Sequence, residues 1–96
     1  MSQQVIVTTD APVALKPLLE SAIQAEVRML ELGLARTSQR LRAFEDQYSL
    51  TSEEFERRFE AGEVDESFDF IEWAGEIKTS RLLQAQRHAL QRVRLH

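Results

Sequence analysis

The sequence contains no cysteine. That excludes a disulfide scaffold, a thiolate metal site and a cysteine nucleophile. Three glycines and two prolines are too few for a β-sandwich built on many tight turns. No apolar run approaches the ~20 residues that a membrane-spanning helix needs, and no signal-peptide pattern opens the chain. With 96 residues the chain is expected to form one domain, spanning 1–96. These absences point to a cytoplasmic helical protein that works by binding and needs no cofactor.

The formal charge of -4 conceals a strong polarity along the chain. Residues 1–44 carry Asp10, Glu20, Glu26 and Glu31 against Lys16, Arg28, Arg36, Arg40 and Arg42, a net of +1. Residues 45–76 carry twelve acids against Arg57 and Arg58, a net of -10. Residues 77–96 carry Lys78, Arg81, Arg87, Arg92 and Arg94 and no acid. Solvated helix faces account for such a pattern, and so does a surface that engages a charged partner. The five basic residues of the last segment are candidate phosphate contacts. Five charges give only a modest salt-dependent affinity, and no aromatic residue interleaves with them to stack on bases.

Residues 3–9, Gln-Gln-Val-Ile-Val-Thr-Thr, are rich in β-branched side chains and are the only good strand candidate. A lone strand leaves its backbone groups unpaired. It therefore frays, or Val5 and Val7 pair with the same strand of a second chain. Asp10-Ala11-Pro12 forms a helix-start signal, with Pro17 delaying or kinking the first turn.

The expected first helix spans about 12–48. Ile23, Val27, Leu30, Leu34, Thr37, Leu41, Phe44 and Tyr48 recur at alternating steps of four and three. That is a heptad seam with one polar member. Leu15, Leu18, Leu19, Ala22, Met29 and Leu32 widen the apolar face, which suits a bundle better than a two-stranded coil. A helix of about thirty residues is about 45 Å long, and only another long helix could cover it.

Leu50-Thr51-Ser52-Glu53-Glu54-Phe55 combines a capping box (Thr51, Glu54) with a hydrophobic staple (Leu50, Phe55). It predicts a short helix over about 52–61, ended by Gly62. A last helix is expected over about 67–94. Its acids fall early and its bases late, as the macrodipole favours. Short links make consecutive helices antiparallel neighbours. The expected architecture is an all-α long-helix hairpin with a short connecting helix and a short N-terminal strand, dimerising into a four-helix arrangement.

Catalysis has little to work with. His88 and His96 are eight apart, and neither His-x-x-x-His nor Glu-x-x-His occurs. There is no glycine-rich phosphate loop and no Gly-x-Ser-x-Gly. Carboxylate pairs such as Glu72 and Glu76 lack any sign of the unlike environments that acid–base chemistry needs. No catalytic, metal or cofactor residue is named. The segment 55–77 stands out instead, with Phe55, Phe59, Phe68, Phe70 and Trp73 set among acids. These aromatics fill the turn end of the hairpin, or form an acid-rimmed surface for a basic partner.

The run from Arg40 to Glu63 (Phe-Glu-x-x-Tyr, then Thr-x-Glu-Glu-Phe, then Phe-x-x-Gly-Glu), with Glu72-Trp73 after it, resembles a group of small helical proteins of bacteria and archaea. Such proteins are often encoded beside toxin-like partners and look like antitoxin components. The resemblance covers roughly residues 5–80. It implies a protein–protein role, with a basic toxin-like protein as partner, and carries over no catalytic residue. A strand followed by helices also resembles ribbon–helix–helix repressors. However, the strand has no lysine or arginine to approach DNA, and the heptad seam runs on through Gly33. Nucleic-acid binding and a purely structural coiled-coil role are therefore the alternatives.

Overall fold

A computed structural model describes residues 3–11 and 13–95. Helix α1 spans Leu15–Tyr48, α2 spans Ser52–Glu60 and α3 spans Phe68–Gln91. The two long helices form an antiparallel hairpin, and α2 packs mainly on α3. The molecule measures 59 × 26 × 18 Å. Its radius of gyration is 18.7 Å, against about 13 Å for a compact domain of this size. One long helix pair with little else on it accounts for the elongation.

The start of α1 differs from expectation. The helix begins at Leu15, its N-cap is Ala14, and no side chain caps it. Asp10 lies in chain without regular structure, and Pro12 lies outside the described residues. Pro17 falls in the first turn, where the backbone N–H would have no helical acceptor in any case, and the helix starts at Leu15, close to the start near residue 16 that this proline suggests. The end of α1 is set by Ser49, which adopts the left-handed conformation (φ 51°, ψ 47°) and donates its N–H to Glu45 O.

The break before α2 follows the sequence signal. Thr51 Oγ1 accepts from Glu54 N at 3.2 Å, and Leu50 packs on the same cluster as Phe55. The Glu54 carboxylate turns to Arg57 and Arg58 and not back to the cap, and Glu45 Oε2 accepts from the neighbouring Ser52 N. Gly62, at φ 72°, turns the chain out of α2. Ser67 then caps α3 by accepting from Phe70 N at 3.1 Å. Helix α3 ends at Gln91, three residues before the expected 94, so Arg92 to Leu95 lie beyond it.

The heptad residues behave as one face. Ile23, Val27, Leu34, Leu41, Phe44 and Tyr48 are half-buried, and Leu30 and Thr37 are buried. Phe44 stacks on Trp73 and Tyr48 meets Phe70 edge-on. At the turn end the seam is therefore filled from within the same chain, by α3, while at the other end Ile23 and Val27 line an open groove with Leu90, Val93 and Leu95.

Residues 3–11 form no strand; they have no regular structure and are exposed. Val5 and Val7 have no neighbouring strand to pair with in the described chain, because all other regular structure there is helical. The expected pairing needs a second chain.

Candidate protein-binding surface

The aromatic segment divides into a core and an outlier. Phe55 and Trp73 are completely buried, with Ile77 beside them. Phe55 lies flat on Trp73, ring centroids 3.9 Å apart and planes 2° apart. Phe59 and Phe70 flank Phe55 at 5.4 and 5.3 Å. The Trp73 indole N–H donates to Ser52 Oγ at 3.0 Å, so the one polar atom of the indole is satisfied inside the cluster. This packing uses up Phe55, Phe59, Phe70 and Trp73. Phe68 is the exception: it is 93% exposed at the start of α3.

Ion pairs tie the turn end together. The Arg81 guanidinium grips both Glu56 carboxylate oxygens, joining α2 to α3 and holding the Glu56 carboxyl below its usual range. Arg57 and Arg58 share Glu54, and their hydrogen bonds lower its pKa to about 2. Tyr48 donates its hydroxyl to Asp69, and that bond raises the phenol's pKa. Arg40 pairs with Glu76 across the hairpin at 2.8 Å. The other Glu76 oxygen is buried and accepts no hydrogen bond.

The expected phosphate contacts differ in their surroundings. Arg81 is committed to Glu56. Arg87 is half-buried in a groove with Ser38, Ser52, Ser80 and Gln84. Arg92 and Arg94 follow the end of α3, and Lys78 is exposed on the helix. His88 is exposed and His96 lies outside the described residues. Among the described residues, no group of three or more His, Asp or Glu side chains is arranged to hold a metal ion, and no helix is long and apolar enough to cross a membrane.

What stays uncovered is one side of the long helices. Leu18, Met29 and Leu32 of α1 are 56%, 64% and 65% exposed. At about 100° per residue they fall within roughly 60° of one another. They point away from Leu41 and Glu45, which border α2. Leu82 and Phe68 of α3 are likewise turned from Phe70, Ile77 and Arg81, which meet α2 or its cluster. The α1–α3 layer is thus covered by α2 on one side and bare on the other, where these apolar residues stand among polar ones such as Arg36, Thr79 and Gln86. The bare side is legible only in part from the sequence: the second apolar line on α1 marks it, but which line meets α3 requires the fold. At the centre of the hairpin the helices approach closely, and a Cβ on Gly33 would sit 3.2 Å from Leu83 Cδ1.

No family model matches the chain, and neither curated proteins nor solved structures give a match.

Proposed function

We propose that this chain is a non-catalytic protein-binding protein: a cytoplasmic homodimer whose role is to hold and neutralise a second protein, as an antitoxin component does. The observation that carries the binding reading is the set of exposed apolar residues on the bare side of the hairpin, Leu18, Met29, Leu32, Phe68 and Leu82. Large apolar side chains exposed together mark interaction sites more often than chance surface. The buried hydrophobics among the described residues are only Leu30, Phe55, Trp73 and Ile77. Covering the bare side would enlarge that core.

The charge of the turn end supports a basic partner. Asp46, Glu60, Glu63, Asp65, Glu66 and Glu72 are all exposed there. A surface of one sign speeds encounter with the opposite sign and rejects its own. The likeness of residues 40–63 to antitoxin-like proteins adds the toxin-like character of that partner. The pairing of Arg81 with Glu56 and the half-burial of Arg87 favour this reading over nucleic-acid binding.

Co-expression with the product of the neighbouring gene tests the neutralisation. A stable co-purifying complex with rescue of growth is expected. Absence of both would sink the antitoxin role. Light scattering at two concentrations tests self-association, for which a mass of twice the chain is expected.

A further inference from the structure

Two features of the molecule bear on what covers its bare side. The first is position. Helix α1 has 34 residues, and Met29 and Leu32 lie at its middle. Leu82 stands at the same height on α3, because its neighbour Leu83 reaches Gly33. The exposed apolar centre of the face is thus near the midpoint of a 59 Å rod.

The second is charge. Residues 45–76 carry a net of -10 and the rest of the chain +6; with Arg40 and Arg81 drawn onto Glu76 and Glu56, the turn end keeps -8 and the remainder +4. Helices in contact pack with axes 8–10 Å apart, about one Debye length at physiological salt. Charges on two hairpins laid side by side would therefore be only partly screened. Parallel packing would set one acidic end beside another. Antiparallel packing sets each acidic end along the basic span of the other copy.

Resting on the self-association proposed above, we infer that the occupant of the bare side is a second copy of this chain, laid antiparallel, with a two-fold axis near Met29, Leu32 and Leu82. A two-fold axis at that height places each copy's apolar centre on the other's, since such an interface is self-complementary. The pair forms a four-helix layer with both α2 helices outside. It leaves the arms of residues 3–9 at opposite ends, so they do not pair with each other in the dimer.

The absence of cysteine makes the test clean, because any introduced thiol is unique. Nitroxide labels on Asp46→Cys, near the end of α1, are expected on the order of 40 Å apart in the antiparallel dimer. A parallel pair would hold them within roughly 20 Å. Met29→Glu should yield a monomer of unchanged helicity by circular dichroism. Deleting residues 2–9 should leave the dimer intact.

A wild-type dimer with close labels overturns the orientation but leaves self-association standing. So does a dimer that is lost when residues 2–9 are removed, since that result puts the arms in the interface. A wild-type monomer at tens of micromolar overturns both. If Met29→Glu lost helicity, Leu32→Glu and Leu82→Glu would repeat the measurement, and a dimer persisting in a folded variant of this kind would overturn the assigned face.

Discussion

The phenyl ring of Phe55 lies on the indole of Trp73, centroids 3.9 Å apart and planes 2° apart, and neither side chain reaches solvent. This contact fastens α2 to α3. Phe44 and Tyr48 stack on other parts of the same indole, which brings in α1. One residue thus holds three helices at the turn end.

Removing the Phe55 ring should cost heavily. Phe55→Ala is expected to destabilise the chain by about 3–5 kcal/mol, the usual range for a buried aromatic. Phe68→Ala, at a 93% exposed position, should change stability by less than about 0.5 kcal/mol in the monomer. Urea unfolding of the two variants checks the contrast. Equal losses would mean that the core lies elsewhere.

Ser52 is the acceptor for the Trp73 indole N–H. Ser52→Ala leaves that donor buried and unpaired, at a cost of about 1–3 kcal/mol. In a Trp73→Phe background the same change should cost far less, since no donor remains. A double-mutant cycle measures the difference. A cycle with no coupling would contradict the bond.

The glycines separate by backbone conformation. Gly62 sits at φ 72°, where a Cβ costs roughly 1–2 kcal/mol. Gly75 lies inside α3, and a Cβ there would meet nothing within 4 Å. Alanine at that position gains about 0.5–1 kcal/mol of helix stability. Gly62→Ala should therefore lower the melting temperature and Gly75→Ala should raise it. Thermal melts showing the same sign for both would refute the distinction.

Acid should weaken the turn end in a definite window. The folded pKa of Glu54 lies at about 2, below its usual 4.5, because Arg57 and Arg58 hydrogen-bond its carboxylate. Glu56 is lowered by Arg81. Groups lowered on folding contribute stability that is complete above about pH 4.5 and fades as pH falls toward 2. Glu54 is reached by solvent, so salt should shrink its part. Glu54→Gln should flatten the fall in melting temperature between pH 4.5 and 2. An unchanged slope would show that these pairs contribute nothing.

Much of this architecture is local in origin. The Thr51 cap, the Leu50–Phe55 staple and the Gly62 turn act within a few residues, so they are legible in the string. The heptad from Ile23 to Tyr48 is legible because a helix repeats its faces at a fixed angle. β-Branched residues over 3–9 favour extended chain and so suggest a strand, yet a strand needs a neighbour, and none is supplied by the described chain. Asp10 gives a false helix start for a related reason: a cap signal has no effect unless the following residues pack, and packing begins at Leu15.

The sequence by itself determined that the chain makes helices, where α2 starts, and that acid and base are segregated along its length. Those properties depend on composition and short-range geometry. Only the tertiary structure decided which apolar line on α1 meets α3 and which stays bare, that Phe59, Phe70 and Trp73 are core while Phe68 is outside, and that Arg81 is bound to Glu56. Such choices rest on contacts between residues distant in the chain, as Arg81 and Glu56 are at 25 apart, and the rotation of one helix against another selects the partners.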